Sequence, residues 1–367
     1  MKRIAIVTGY YHPLQTPRAF RATELSLELS RRGYHVDVYS ATQNFDTIFQ
    51  EKNLNVFYLN AWHIAETQPR KSANANPLKS FLKKCVFYFT TGTLFSLFIK
   101  LKAKLIFKKK YNVLISIGLP FHIHWAVGRQ IKSNNIAERY IADYGDPFSK
   151  FNKTSIVAPY FRWIEKKIMN KFDFITIPTI KSLPAYLWLK DKEKIRIIPQ
   201  GFDFSKIKLK EYRKNKIPTF AFAGNFYQNI RDPKILFDYL CKLEQSDFKF
   251  ILYIKNTQDN LLLLNNYVDK LGSKIEIRPP INRQDLIPEL SSMDFLINQD
   301  NFNSVQSPSK LIDYLLTGRP IFNFNQDQLN INLLDQFLHY DFSSYQSNIN
   351  IEDYDIRNIT TQFEQIF

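Results

Sequence analysis

Residues 3–40 read RIAIVTGYYHPLQTPRAFRATELSLELSRRGYHVDVYS, and their pattern decides the fold. Arg3 to Thr8 is a short apolar run of strand length. Gly9 to Pro17 follows as a loop, rich in turn-forming residues. From Ala19 to Arg32, the spacing of Phe20, Leu25, Leu27 and Leu29 suits an amphipathic helix that ends near Gly33. Val36 to Ser40 is a second strand. A strand, a helix and a strand in this order make a βαβ unit, the building block of a parallel sheet.

Working outward, the same punctuation recurs at intervals that leave room for helices. Asn55 to Tyr58, Val113 to Ile117, Arg139 to Asp143, Phe174 to Pro178 and Ile195 to Pro199 read as further strands. The basic stretch Lys206 to Lys216 carries few large apolar residues and ends at Pro218, where a second series opens. Its strands are Thr219 to Ala223, Phe248 to Ile254, Ile275 to Ile277, Phe295 to Asn298 and Pro320 to Phe324. Pro233 to Gln245, Asp259 to Leu271, Arg283 to Leu290 and Ser309 to Thr317 read as the helices between them. At 367 residues and 45% apolar content, two cores are favoured over one. The expectation is an α/β protein of two Rossmann-like domains, 1–205 and 206–350, with a C-terminal helix at about 351–367 packing back on the first.

The net charge of +16 exceeds what solubility requires of a chain this size. From Thr67 to Ala137 there is no acidic residue, while lysines from Lys79 to Lys110 interleave with Phe81, Val86, Phe87, Phe89, Leu94, Phe95, Leu97, Phe98 and Ile99. The uncharged run from Cys85 to Ile99 falls short of the roughly 20 apolar residues of a membrane span. Two readings stay open: a basic amphipathic surface for anionic lipid, and a core-facing helix with a solvated lysine face. Nucleic acid is not expected as a partner, because no helix-turn-helix, zinc-finger or RNA-binding signature accompanies the charge. Cys85 and Cys241 match no disulfide, redox or metal spacing, and the N-terminus lacks the layout of a secretory signal. A cytoplasmic protein is expected, peripheral to the inner face of the membrane if the lipid reading holds.

The segment richest in chemistry is Ser307-Pro308-Ser309-Lys310-Leu311-Ile312-Asp313-Tyr314-Leu315-Leu316-Thr317-Gly318-Arg319-Pro320. A helix starting here points free N–H groups at an anion, and Lys310 adds a cation, so a diphosphate fits. Asp313 lies three residues on, on the same face, where it can accept from two ribose hydroxyls. An N-capped helix with an ordinary Lys–Asp pair accounts for these residues as well.

The segment resembles the P-S-K-x-x-E-Y-x-x-x-G-x-P element of glycosyltransferase family four, retaining enzymes of GT-B fold that act on bacterial cell-surface polysaccharides. Three further stretches are similar and in the same order. They are Gly9 to Ala41, then Ile198-Pro199-Gln200-Gly201-Phe202-Asp203, then Phe222-Ala223-Gly224-Asn225 with Arg231. Asp143-Tyr144-Gly145-Asp146-Pro147 matches more weakly. The resemblance implies two Rossmann-like domains facing across a cleft, with acceptor on the first and nucleotide-sugar donor on the second. It further implies transfer without a metal, and no Asp-x-Asp stands at a strand end to hold one. Gly224, Asn225, Arg231, Pro280, Ser307, Ser309, Lys310 and Asp313 become the donor-binding candidates, and His122, Asp146, Arg231 and Lys310 the catalytic ones. No cofactor is implied beyond a UDP- or GDP-linked sugar as substrate, with a saccharide or lipid-linked saccharide as acceptor.

The sequence departs from the family's pattern at four points. Val305 occupies the place of the first glutamate, Asp313 that of the second, Asn225 that of an arginine, and Gln15, Thr16 and Pro17 that of paired glycines. A GT-B-like sugar-nucleotide epimerase and a non-catalytic sugar-nucleotide-binding subunit are the alternative readings.

Overall fold

The computed structural model describes the chain except for residues 1, 15, 46–48, 50, 63–76, 132–134, 150–156, 190, 206, 228–231, 244, 301–308 and 348. Of residues 77, 79, 80, 258, 259, 261 and 309 it describes the backbone alone. Two compact units result: Met1–Asp203 with Asp353–Phe367, and Phe204–Glu352.

The N-terminal unit runs β1 (Arg3–Thr8), α1 (Pro17–Arg31), β2 (His35–Ser40), β3 (Leu54–Tyr58), α2 (Pro77–Thr90), α3 (Thr93–Lys104) and β4 (Tyr111–Ile117). It continues through α4 (His122–Gln130), β5 (Ala137–Asp143), α5 (Tyr160–Met169), β6 (Phe174–Ile177) and β7 (Ile195–Ile197). Its seven strands lie in the order β3-β2-β1-β4-β5-β6-β7, all parallel. On β1, Ala5 and Val7 enter the core on one face of the sheet and Ile4 and Ile6 the core on the other. That double covering is why such strands read as unbroken apolar runs.

Local signals set the ends of α1. Thr16 caps it by accepting the Ala19 N–H, Pro17 occupies the first turn, and Gly33 at φ 89° stops it. The C-terminal unit contains β8 (Thr219–Ala223), α6 (Lys234–Leu240), β9 (Lys249–Tyr253), α7 (Gln258–Leu271), β10 (Ile275–Arg278), α8 (Arg283–Ser291), β11 (Phe295–Gln299), α9 (Ser309–Leu316), β12 (Ile321–Phe324) and α10 (Ile331–Leu338). Its parallel sheet has the order β10-β9-β8-β11-β12. Phe220 stacks between Phe250 and Phe295 at 4.7 and 4.6 Å, joining three strands through aromatic contact. The α6 helix stops at Leu240, well before Gln245.

The last helix, α11 (Ile356–Glu364), returns to the N-terminal unit. Ile356, Ile359 and Phe363 are buried against the side of the sheet that α1 covers. The approach is latched by a parallel bridge between Phe202 and Asp355 and by Gly201, where a Cβ would stand 2.9 Å from Ile356.

Candidate functional site

In an open parallel sheet, ligand sites form beyond the carboxyl ends of the strands, where neighbouring connections leave to opposite faces. In the C-terminal unit this point lies between β8 and β11. Gly224 and Asn225 follow β8, and α9 follows β11, so a glycine turn and a helix start converge there. Tyr314 fastens the helix to the strand: its buried hydroxyl accepts the Ala223 N–H at 2.7 Å. One turn earlier, Lys310 reaches over Gly224. A Cβ on Gly224 would stand 2.0 Å from Lys310 Nζ, so glycine is what leaves room for the ammonium. The Phe222 ring lies 5.8 Å from the same Nζ.

Asp313, on the same helix, is turned toward α8. Arg283 Nε donates to its Oδ1 at 2.7 Å, and both side chains are about 15% exposed. Burial raises the Asp313 pKa above the usual carboxylate value, with Arg283 and Lys310 opposing. Pro280 is exposed in the loop between β10 and Arg283. Asn225 serves the shape of the site: its Oδ1 accepts from the Lys255 N–H at 3.1 Å and from Asn260 Nδ2 at 3.3 Å. Buried Asn260 also accepts the Phe226 N–H and donates to the Lys255 carbonyl, holding the loops after β8 and β9 together. Ser309 opens α9, while Arg231, Ser307 and Pro308 lie outside the described residues.

The corresponding point of the N-terminal unit lies between β1 and β4. The connections touch there, since a Cβ on Gly9 would meet the Leu119 carbonyl at 3.1 Å. His122, the first residue of α4, is fully buried. Its Nε2 bonds the Thr91 hydroxyl at 2.9 Å, and desolvation drives its pKa down to about 3. A neutral imidazole without solvent contact is poorly placed to exchange protons near neutral pH. The physical reading of His122 is therefore packing with Phe121, Trp125 and Phe148.

Asp143, at the end of β5, is also buried and fully engaged. Arg21 holds it through two bonds of 3.0 and 2.8 Å, and Thr176 donates at 2.6 Å. Burial pushes its pKa up, but Arg21 and Arg18 hold it below the ordinary carboxylate value. Arg21 donates as well to the carbonyls of Pro199 and Ile198, so the 198–203 turn is anchored from beneath. Asp146 is half-buried in the following turn, near enough to Arg18 to act on its charge.

No family model matches the chain, and no curated protein matches it in sequence. Solved structures match along its whole length. A glycosyltransferase from Rickettsia africae aligns at 13% identity and TM-score 0.55, covering 100% of this chain and 94% of that one. The lipopolysaccharide outer core galactosyltransferase WaaB aligns at 10% identity and TM-score 0.55, covering 100% and 95%. TarM aligns at 12% identity and TM-score 0.65, covering 100% and 98%. The chain has the GT-B fold. At these identities the likeness is one of fold.

Two residues of that site escape a reading of the sequence. Arg283 had one signal: a cation opening a helix opposes the helix dipole and calls for an anionic partner. Asn260 had none, since a buried asparagine early in a helix looks like any other polar residue. The arrangement as a whole offers an ammonium beside an open glycine turn at a helix start, and a carboxylate one turn deeper. These are the elements that grip a phosphate and a polyol.

Proposed function

We propose that this protein is a glycosyltransferase that moves a sugar from a nucleotide-sugar donor to a saccharide or lipid-linked saccharide in surface polysaccharide synthesis. The observation that carries the reading is the seat of Lys310 over Gly224 at the switch point of the C-terminal sheet. The whole-length fold likeness to glycosyltransferases, among them a lipopolysaccharide galactosyltransferase, supports it.

In this reading the diphosphate sits at the start of α9 against Lys310, with Ser309, Ser307 and Arg231 as its further partners. Asp313, oriented by Arg283, accepts from ribose hydroxyls, and Pro280 lies toward the base. As the bond from the anomeric carbon to the diphosphate breaks, its electron pair goes to the phosphate oxygen, and the cations offset the growing charge without a metal. The acceptor hydroxyl oxygen forms the new bond with retention of configuration, and its proton passes to the departing diphosphate oxygen. Asp146 is proposed as the acceptor-side carboxylate, and His122 is left out of the mechanism on account of its burial.

The test incubates the protein with UDP-, GDP- and ADP-linked sugars and saccharide acceptors and follows products by mass spectrometry. Released nucleoside diphosphate with a glycosylated acceptor is expected. Conversion of donor to an epimer, or binding with no turnover across the panel, would replace this reading with one of its alternatives.

A further inference from the structure

The proposed transfer reaction leaves one buried carboxylate without a role. The buried residues of α5 are Phe161, Glu165, Ile168 and Met169, at the spacing of a single helix face. Phe161, Ile168 and Met169 enter the N-terminal core. Glu165 therefore occupies a core-facing position that an apolar residue would fill more favourably, and it is 1% exposed. A carboxylate in such a place is unfavourable unless donors hold it. The donors come from the two ends of one turn. Tyr144 donates its hydroxyl to Oε1 at 2.8 Å, while Ser149 donates its N–H at 3.3 Å and its hydroxyl to Oε2.

Tyr144 and Ser149 bracket residues 145–148, the turn that leaves the carboxyl end of β5. Within the bracket Pro147 and Phe148 are buried, and Phe148 stacks on Phe121 at 4.5 Å. Gly145 lies against Arg18. A Cβ there would stand 2.7 Å from Arg18 Nε, so glycine is what admits the guanidinium. The Tyr144 N–H bonds the Thr176 carbonyl at 2.9 Å, tying the start of the turn to the strand beside it. The turn is thus held at both ends and along its buried side. Asp146, half-buried, is the one charged residue that it carries.

We propose that Glu165 is a positioning residue for the acceptor step, holding the 144–149 turn so that Asp146 stands in a fixed place beyond the carboxyl end of β5. The inference rests on the acceptor-side reading of Asp146 and deepens it, since Glu165 is closed off from substrate and acts through Ser149 and Tyr144. The titratable and charged groups that face Glu165 are Tyr144, Tyr186 and Arg162. The buried Tyr186 side chain, from the connection after β6, feels the charges of Glu165, Asp146 and Arg18 together, which puts the clamp and the carboxylate it presents in one electrostatic neighbourhood. Burial raises the Glu165 pKa to about 7, and the hydrogen bonds from Ser149 and Tyr144 oppose the rise. Ionised, Glu165 accepts from all three donors. Protonated, it adds a donor of its own where three already point, and the hold on Ser149 weakens.

The test is steady-state kinetics of the full chain at saturating donor, with the acceptor that wild type glycosylates, across the pH range around neutrality. Ser149→Ala and Glu165→Gln are each expected to raise the acceptor KM roughly tenfold, with a donor KM within about twofold of that of wild type. Wild-type kcat/KM for acceptor should rise with pH through about 7, a limb that should be missing in Glu165→Gln. Ser149→Ala and Tyr144→Phe remove donors and leave the carboxylate in place, so the outcome is readable if Glu165→Gln does not fold. Asp146→Asn separates the two claims. Loss of transfer in Asp146→Asn, beside wild-type acceptor kinetics in the Ser149, Tyr144 and Glu165 variants, would overturn the positioning role and leave the acceptor-side reading standing. Wild-type kinetics in Asp146→Asn would remove that reading and the positioning role with it.

Discussion

Arg283 controls what Asp313 can do. Burial raises the pKa of this carboxylate, about 84% covered, and the guanidinium that holds one of its oxygens opposes the rise. Arg283→Gln is expected to raise the donor KM by roughly tenfold or more with a smaller effect on kcat, and Arg283→Lys to restore part of the loss. Steady-state kinetics against donor concentration checks this; an unchanged KM would detach Asp313 from donor binding. Glu165 titrates where few carboxylates do, because burial raises its pKa to about 7 against the hydrogen bonds from Ser149 and Tyr144. The folded state then binds more protons than the unfolded chain between pH 4.5 and about 7. Stability falls as pH rises through that window, by up to about 1.4 kcal/mol per pH unit, and levels off above it. Denaturant melts of Glu165→Gln should lack this slope; a slope like that of wild type would assign it to another group.

The elements differ in how far the sequence discloses them. Strands of a doubly covered parallel sheet are largely apolar, so β1 and β8 stand out from their neighbours in sequence alone. The two helices of the basic stretch do not, because apolar residues at helical spacing look the same whether the stripe meets the core, as in α3, or leaves it, as in α2. Partners distant in sequence are equally hidden: Arg283 and Asp313 are 30 residues apart and carry no local mark of each other. The α11 helix shows what such contacts contribute. Phe363 is fully buried in the sheet's core and lies 4.8 Å under the Arg21 guanidinium that holds Asp143. Phe363→Ala is expected to cost about 3–5 kcal/mol, seen as a lower midpoint in urea unfolding. A change below about 1 kcal/mol would mean α11 contributes little to the N-terminal core.

At the scale of the whole molecule, the sheet orders place the two switch points, and the chemistry of the C-terminal one rests on a single juxtaposition. Gly224 and Lys310 come from different βα connections, and only the order of the strands brings them together. Arg231 and Ser307 fall outside the described residues, and Lys310 is the cation that the structure seats at this point. Calorimetric titration of wild type and Lys310→Ala with the nucleotide sugar that wild type turns over tests it directly. Saturable binding by wild type is expected, with at least tenfold weaker binding by Lys310→Ala and a kcat lowered by about a hundredfold in the variant while its melt is unchanged. Equal affinity and turnover in the two proteins, or no binding of any nucleotide sugar by wild type, would contradict it.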